Sequence, residues 1–378
     1  MARRGNHEGS IRERDDGVWE VAVAFDGRRF YGRAATQAEA RRKLGELRRK
    51  HAVGELVPST RVKLADHLAA WLDTGAAEWK PKTYQEYESV CRVYLNPAMG
   101  HLKVQSLTAV HLAGWYARWR KERKVTGGTV LNVHRVLSRA LTVAVRWGVV
   151  GRNVAKDVEP PRAIRHRPEL WSPGDASLFL DSELELRWRA LWALLVGSGC
   201  RIGEALAVRW SDIDRDAGLL SISRSVTFIK GAAVETEPKT QAGVRLVTLP
   251  VFALDTLREW RTVQLEERLA AGPAWGGGDL VVTAGGGRRP SSSMCWGAFR
   301  KTCRRAGLRQ LRIHDLRHLH ASMLLAEGLP IPAVSARLGH ASPAVTMAVY
   351  SHALKGQDAT AALAIEAALG ARRVGDGR

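Results

Sequence analysis

Cysteine is scarce in this sequence. The 378 residues hold four thiols, Cys91, Cys200, Cys295 and Cys303, and no two of them form a Cys-x-x-Cys pair. Disulfide frameworks place several cysteines in a short chain, and cysteine zinc sites use closely spaced pairs. We therefore exclude both kinds of site and expect four reduced thiols.

Long apolar runs and acidic residues are also in short supply. No segment approaches the roughly 20 apolar residues that cross a bilayer. The opening MARRGNHEGS has no apolar stretch of the signal-peptide kind. We expect a cytoplasmic protein without a membrane partner.

Acidic residues number 38 against 58 lysines and arginines, a formal charge of +20. This imbalance favours a polyanionic partner, with nucleic acid ahead of an anionic membrane surface.

The first of three predicted domains spans residues 1–55. Two alternating runs, WEVAVAF and RRFYGRA, flank Asp26-Gly27, a pair typical of two-residue hairpin turns. Thr36 then caps a basic helix, in the segment TQAEARRKLGELRRKH that it begins. We predict a small sheet with a helix packed on it. One sheet face carries Val21, Val23, Phe25 and Phe30, and the other carries Arg29, Tyr31 and Arg33.

The second predicted domain, residues 61–158, is helical. The predicted helices are VKLADHLAAWLDTGA, TYQEYESVCRVYLNPAM, LTAVHLAGWYARWRKERK and GTVLNVHRVLSRALTVAVRWGVV. Pro81, Pro97 to Gly100, and Gly127-Gly128 are predicted to separate them. A linker, EPPRAIRHRPELWSPGD, follows, in which Pro160-Pro161 breaks the helix.

The third domain, from residue 169 to the end, mixes helices and strands. An apolar helix, LELRWRALWALLVGSG, precedes RIGEALAVRWSDI, and three strand-like runs follow: LLSISRSVTFIK, AAVETEPKT and VRLVTLP. This domain also holds an ordered set of reactive side chains. They are Arg201 in CRIGEAL, Lys239 in EPKTQAGVR, His314 and Arg317 in HDLRH, His340 in RLGH, and Tyr350 in VYSH.

That ordered set resembles the tyrosine recombinase (phage integrase) family, and the helical block with its PPR exit is similar to the family's core-binding domain. Each motif alone is weak evidence for the family, whereas six motifs in the right order are strong evidence. The resemblance implies a multidomain, mainly α fold with small β elements. It divides the chain into a three-stranded sheet plus helix that binds arm-type DNA sites (1–55), a SAM-like core-binding domain (61–158) and a mixed α/β catalytic domain with a tail helix (169–378).

The chemistry of these residues suits transesterification at a phosphodiester. Two guanidinium groups, on Arg201 and Arg317, can hold the negative charge that grows on the phosphate oxygens. Glu204, one turn after Arg201, can orient it. A phenol with a pKa of about 10 needs a base, for which His314 is the candidate.

Three further groups complete the predicted site. His340, before the Ser342-Pro343 helix start, should donate a hydrogen bond to the phosphate, and Tyr350, about two turns into that helix, is the nucleophile. By the resemblance, Lys239 is the general acid for the leaving 5′-oxygen.

Three alternatives stay open at this point. His314 and His318 resemble the metal-binding HExxH pattern with aspartate in place of glutamate, and His320 follows, which would suit a metallohydrolase. A DNA-binding regulator without catalysis would explain the charge alone. A type IB topoisomerase shares the phosphotyrosine chemistry, although the arm-like first domain favours recombination.

The resemblance also implies partners. Four protomers would assemble on double-stranded attachment sites and pass through a Holliday junction, with neither ATP nor a metal as cofactor, and excision or DNA-bending proteins would assist. A predicted tail helix, ATAALAIEAAL after Asp358, carries the narrow apolar stripe Ala362, Ile365 and Leu369. The family resemblance favours docking of this helix on a neighbouring protomer over folding back on its own domain.

Overall fold

The structure, a computed structural model, describes residues 9–25, 28–52, 57, 60–122, 125–160, 169–236, 243–350 and 365–366. At Arg28, Val345 and residues 348–350 it describes the backbone alone. The chain divides into two compact units, Met1–His166 and Arg167–Arg378. Each unit has its own apolar core.

The first unit begins with a small antiparallel sheet. Its strands are β1 (Ser10–Glu13), β2 (Trp19–Phe25) and β3 (Arg28–Ala34), paired in that order. Helix α1 (Gln37–Ala52) packs on the sheet, and the Thr36 hydroxyl accepts a hydrogen bond from the Glu39 N–H at 3.3 Å. The sheet, the helix and the cap confirm the sequence prediction. The Asp26-Gly27 turn lies outside the described residues.

The period-two alternation of β2 decides which face of the sheet is buried. Val21, Val23 and Phe25 are at most 4% exposed, and they pack with Ala40 and Leu44 of α1. On the opposite face Tyr31 is 61% exposed. The predicted division of the sheet into a packed and an open face is therefore confirmed.

After α1, the described residues of the first unit are mainly helical. Its helices are α2 (Leu64–Ala76), α3 (Pro81–Val90), α4 (Asn96–Met99), α5 (Ala109–Glu122) and α6 (Gly127–Arg146). Their core includes fully buried Trp71, Leu95, Leu112 and Leu137. A compact set of helices was predicted, and the structure confirms it.

The three predicted breaks fall at helix boundaries, because α2 ends at Ala76, α4 at Met99 and α5 at Glu122, but several of the prolines and glycines lie inside the ends of the helices. Pro81 is the first residue of α3, since the first turn of a helix needs no N–H donor there. Gly127 and Gly128 form the first turn of α6 after Thr126, whose hydroxyl accepts a hydrogen bond from Thr129 N–H. Pro97 lies inside α4, which ends at Met99 as the predicted helix does. It lacks an N–H, and the turn that precedes it, Cys91–Leu95, is a π-helix.

The second unit surrounds a buried helix. Helix α7 (Pro173–Asp181) leads to α8 (Leu186–Ser198), in which every residue from Ala190 to Ser198 is buried. A helix that is apolar on all sides forms the centre of a core. Around it pack Phe179, Trp260 and Phe299.

The remaining elements follow in order. They are α9 (Ile202–Ala205), β4 (Ile213–Asp214), β5 (Leu219–Ile222), β6 (Ser225–Ile229), β7 (Ala232–Thr236), β8 (Arg245–Thr248), α10 (Val251–Ala271), α11 (Ser292–Arg305), α12 (Asp315–Ala326), α13 (Ile331–Leu338) and α14 (Pro343–Tyr350). One antiparallel sheet has the order β4-β5-β8, and β6 and β7 form a separate hairpin.

The predicted linker is too long at its C-terminal end. Trp171 is 6% exposed in the core of the second unit, and its indole N–H donates to the Arg309 carbonyl at 3.0 Å. Ser172 caps α7 in a reciprocal pair with Asp175. These residues therefore belong to the folded unit and do not form a linker.

All four cysteines are buried and free, as predicted. Burial raises the pKa of each thiol, to about 12 at Cys91 and about 11 at Cys200. Within the described part of the chain, no helix has the length and apolar character needed to cross a membrane.

Candidate active site

Arg317, on α12, links two segments that carry predicted site residues. Its side chain is buried, with Nη1 donating to the Gly199 carbonyl at 2.8 Å and Nη2 donating to the Leu338 carbonyl at 2.6 Å. Arg201 follows Gly199 by two residues, and His340 follows Leu338 by two. Each terminal nitrogen has a second hydrogen, so this guanidinium can still bind an anion. Burial, and then repulsion by Arg201, lower the pKa of Arg317 to about 10, which leaves it cationic at neutral pH.

Gly199 makes the close approach of these segments possible. It ends α8 in the left-handed conformation, with a φ of +66°. A Cβ at this position would lie 2.5 Å from Cδ2 of His320 and 2.9 Å from a methyl group of Leu338. Because both the backbone angle and the contacts exclude a side chain, only glycine suits this turn.

Arg201 is the N-cap residue of α9 and is held by Glu204. The Arg201 backbone N–H donates to Oε2 of Glu204 at 2.9 Å, and its Nη1 donates to Oε1 at 2.7 Å. The predicted orientation by Glu204 is confirmed. The Arg201 side chain is 41% exposed, whereas that of Glu204 is 5% exposed, so the cation faces outward from a buried carboxylate.

Sequence reasoning missed a second partner of Glu204. Nη2 of Arg245, on β8, donates to Oε2 of Glu204 at 2.9 Å. Burial alone would raise the pKa of Glu204, but the hydrogen bond and charge of Arg245, with the hydrogen bonds from Arg201, hold it below its ordinary value. Arg245 lies within the EPKTQAGVR motif, yet nothing in its spacing indicates a partner 41 residues away.

Two predicted histidines lie close to these arginines. His314 immediately precedes α12, three residues before Arg317, and its ring centroid is 5.1 Å from that of His318. Desolvation, followed by repulsion from His318, Arg317 and Arg201, lowers the pKa of His314 to about 4. A neutral imidazole can accept a proton, so His314 is in the form that a general base requires.

His340 lies between α13 and α14. Its Nδ1 is 2.8 Å from the Thr346 hydroxyl, and Pro343 begins α14 as predicted. Desolvation, and then repulsion from Arg317 and Arg201, lower the pKa of His340 to about 4. Four of the six predicted residues, Arg201, His314, Arg317 and His340, are therefore near enough to influence one another.

The other two predicted residues are only partly described. Lys239 lies outside the described residues, although the strands that flank it in sequence, β7 and β8, are present as predicted. Tyr350 is the last residue of α14, and only its backbone is described. Most of the predicted tail helix is outside the described residues; Ile365 and Glu366 are helical and exposed.

The histidines of the HDLRH segment and His320, which follows it, do not converge on a metal site. The ring of His320 is engaged on both sides, with Nδ1 2.7 Å from the Val196 carbonyl and Nε2 accepting from Nε of Arg337 at 3.0 Å. Where the structure describes the chain, no three His, Cys, Asp or Glu side chains are grouped as metal ligands. The metallohydrolase alternative thus lacks a third ligand among the described residues.

Comparison with known proteins decides between the remaining alternatives. The profile of the phage integrase family matches residues 177–357, and that of the phage integrase N-terminal SAM-like domain matches residues 63–120. Tyrosine recombinase XerD of Corynebacterium glutamicum is 30% identical over 271 residues, covering 68% of this chain and 81% of that protein. This chain belongs to the phage integrase family of tyrosine recombinases. It is a site-specific DNA recombinase, as the six ordered residues predicted.

Further relatives of this recombinase cover most of its length. A tyrosine recombinase XerC-like protein of Caldanaerobacter subterraneus subsp. tengcongensis is 27% identical and covers 88% of this chain and 89% of its own. Among solved structures, the Tn1549 transposon integrase with circular intermediate DNA has a TM-score of 0.66 at 18% identity and covers 76% of this chain and 94% of its own. A lambda integrase dimer on a core site has a TM-score of 0.59 at 17% identity, covering 92% and 96%. These likenesses confirm the predicted multidomain, mainly α fold.

Proposed function

We propose that Tyr350 of this recombinase attacks the scissile phosphate while Arg201, Arg317 and His340 hold it. The observation that carries this proposal is the pair of hydrogen bonds from Arg317 to the Gly199 and Leu338 carbonyls, which draws the segments of Arg201 and His340 to one guanidinium. The phenol oxygen forms a bond to phosphorus, and the bond from phosphorus to the 5′-oxygen breaks. The product is a 3′-phosphotyrosine and a free 5′-hydroxyl.

Two proton transfers balance this step. Neutral His314 accepts the phenolic proton of Tyr350, and Lys239 donates a proton to the leaving 5′-oxygen. His340 contributes a hydrogen bond: its Nδ1 lies 2.8 Å from the Thr346 hydroxyl, and we assign Nδ1 as the acceptor there, which leaves the Nε2 proton for a phosphate oxygen. The lowered pKa of His314 leaves the ring unprotonated at neutral pH, which is the form that can accept the phenolic proton.

The intermediate keeps the energy of the phosphodiester. A 5′-hydroxyl can therefore attack the phosphotyrosine and restore DNA without ATP, and arginine side chains supply the positive charge that a metal would otherwise supply. We propose no cofactor. EDTA should leave strand cleavage unchanged, and a requirement for added zinc would contradict this.

A nicked suicide substrate carrying the core site tests the nucleophile. The wild-type protein should accumulate a covalent adduct on denaturing gels, because the nick lets the 5′-strand diffuse away. Tyr350→Phe should bind the same DNA and form no adduct. Tyr94→Phe is the matched control, since the Tyr94 ring packs on Trp119 in the first unit and lies outside the catalytic motifs. An adduct from Tyr350→Phe would refute the assignment.

We also propose separate DNA-binding roles for the predicted domains. Residues 1–55 would bind arm-type sites through the exposed face of β3 and the basic α1, while residues 61–158 and 169–378 bind the core site. Removing residues 1–55 should spare cleavage of core sites and reduce recombination of full attachment sites by about 10²- to 10⁴-fold, the usual gain from linked binding. Arm binding should weaken steeply with salt, because its contacts are to phosphates. Normal recombination by the truncated protein would exclude the arm role.

The proposed assembly is a tetramer on two attachment sites that passes through a Holliday junction. A lambda integrase tetramer has been solved on a Holliday junction, with a TM-score of 0.59 to this chain. We propose that residues 357–378 dock on a neighbouring protomer and that excision or DNA-bending proteins assist. The element moved would be a phage or another mobile element, and the reaction would occur with the chromosome in the cytoplasm. Deleting residues 357–378 should preserve single-site binding and weaken synapsis in native gels; unchanged synapsis would exclude the tail contact.

A further inference from the structure

Arg245 is a third arginine of the site, and the catalytic proposal gives it no role. Its side chain is 7% exposed, and each of its three nitrogens donates a hydrogen bond within the protein. Nη2 donates to Oε2 of Glu204 at 2.9 Å, Nε to the Arg337 carbonyl at 2.8 Å and Nη1 to the Gly243 carbonyl at 3.1 Å. This guanidinium is therefore engaged by protein groups in all three directions.

The first of these contacts connects Arg245 to Arg201. Oε2 of Glu204 accepts hydrogen bonds from the Arg201 backbone and from Arg245, while Oε1 accepts from Nη1 of Arg201. Two cations that share one buried carboxylate repel each other, so removing one lets the other approach the carboxylate more closely. Without Arg245, Glu204 would depend on Arg201 alone for its neutralisation, and the guanidinium of Arg201 would be drawn toward the carboxylate and away from a bound phosphate.

The second contact connects Arg245 to the segment of His340. Arg245 binds the carbonyl of Arg337, and Arg317 binds the carbonyl of the next residue, Leu338. Two buried guanidinium groups thus hold consecutive carbonyls at the C-terminal end of α13. The site residue His340 lies two residues beyond.

We infer that Arg245 is a positioning residue, which sets Arg201 through Glu204 and His340 through the end of α13. It touches neither substrate nor reacting atoms in this role. The inference rests on the proposed function of Arg201 as a phosphate-binding group. Gly243, the third partner, is the first described residue after Lys239 in sequence.

The charge of the scissile phosphate separates positioning from a purely structural role. A methylphosphonate replaces one charged oxygen with a methyl group, so a guanidinium has less charge to stabilise. Arg201→Ala should slow cleavage of the phosphate substrate by about 10²- to 10³-fold and slow cleavage of the methylphosphonate much less. If Arg245 acts through Arg201, its variants should show the same dependence on the substrate.

Two variants test this. Arg245→Met removes the charge, and Arg245→Lys keeps the charge but has one nitrogen for three acceptors. We expect each to slow phosphate cleavage by about 10²-fold, the effect of a misplaced catalytic group, with most of that loss absent on the methylphosphonate. The double variant Arg201→Ala/Arg245→Lys should lose less activity than the product of the two single losses, because the part of the Arg245 effect that acts through Arg201 is already lost, while the part that acts through His340 remains. Arg187→Lys is the control, because Arg187 also forms a half-buried ion pair, with Glu267 at 2.5 Å, outside the proposed site.

Thermal unfolding and binding of the uncleaved core site confirm that each variant is folded. A loss at Arg245→Lys that is equal on both substrates, or no loss at all, would overturn the inference. Full additivity in the double variant would also overturn it. If Arg201→Ala instead loses as much on the methylphosphonate as on the phosphate, the proposed role of Arg201 fails and the inference fails with it, a pattern that differs from the failure of Arg245 alone.

Discussion

The two units of this recombinase bury different kinds of side chain. In the first, the buried polar side chains among the described residues are His67 and Asn153, which bind the backbone carbonyls of Ala140 and Ser138. In the second, the buried side chains include the ionisable groups Glu183, Glu204, Asp315, Arg317 and His320. Burying a charge is unfavourable unless it is paired and hydrogen-bonded. The first unit is thus stabilised mainly by apolar packing, whereas the second retains buried charges that hold its loops in place.

Glu183 shows that buried charge in the second unit is not confined to the candidate site. One of its carboxylate oxygens accepts from the Glu185 N–H at 3.1 Å and from Arg305 at 3.4 Å. The other accepts from the Trp192 indole and the Thr302 hydroxyl. This carboxylate therefore ties α8 to α11, and removing it should loosen the core, not the site alone.

The largest effect that we predict concerns the apolar core of the first unit. Trp71 is 2% exposed and packs on Trp79 and Tyr87, with ring centroids 4.8 and 5.3 Å away. Trp71→Ala should lower the free energy of unfolding of the helical region by about 3–5 kcal/mol. Hydrogen exchange measured segment by segment should show faster opening of α2 and α3 and unchanged opening of α8.

Trp147→Ala is the control for that substitution, because Trp147 is 43% exposed and should cost far less. If α8 opened as fast as α2 in Trp71→Ala, the two units would not be independent cores, and the comparison between them would fail.

The next effect concerns the buried charge of the site. Arg317→Lys keeps a cation but cannot bind the Gly199 carbonyl, the Leu338 carbonyl and a phosphate in the same geometry. Adduct formation in a single turnover should fall by about 10²- to 10³-fold. Arg258→Lys, at an exposed ion pair with Asp255, should change it little. If Arg317→Lys and Arg258→Lys reduced adduct formation equally, the buried arginine would have no greater role in cleavage than the exposed one.

The sequence predicts what is local and misses what is distant. The alternation of Val21, Val23 and Phe25 predicts one sheet face, and the three-residue spacing predicts the contact from Glu204 to Arg201. The bond from Arg317 to Gly199 joins residues 118 apart, and no periodicity signals it. At Pro81 the sequence predicts the helix boundary but not which side of it the proline lies on: proline breaks a helix in its middle and suits its first turn, and in the structure it begins α3.

Acidification should affect both units, and the second more. His320 is 6% exposed; burial, and then repulsion from Arg337 and Arg317, lower its pKa to about 4. In the unfolded chain its pKa is about 6.5. Between these values the unfolded state binds more protons than the folded state, so stability falls as the pH drops from about 6.5 to about 4, by roughly 3 kcal/mol for this group.

Urea unfolding across this pH range measures the effect. His320→Asn should flatten the pH dependence of the second unit. In the first unit, burial lowers the pKa of His67, and no nearby cation adds to this shift. The stability of the first unit should therefore depend less steeply on pH, and His67→Asn should reduce that dependence further. Stability of the second unit that does not change between about pH 6.5 and about pH 4 would contradict a neutral, buried His320.

The smallest effect should be the same in both units, because helix caps are local and exposed. The Thr36 hydroxyl accepts from Glu39 N–H at 3.3 Å, and the Ser172 hydroxyl accepts from Asp175 N–H at 3.1 Å. In each pair the carboxylate binds a backbone N–H in return, that of Ala35 or of Ser172 itself. Thr36→Ala and Ser172→Ala should each cost about 1 kcal/mol, seen as faster hydrogen exchange in the first turns of α1 and α7. Thr36→Ser, which keeps the hydroxyl, is the control and should cost less. If Ser172→Ala lowered the free energy of unfolding several-fold more than Thr36→Ala, helix caps would not be local in both units. The cap at Ser172, beside buried Trp171, would then be coupled to the core of the second unit.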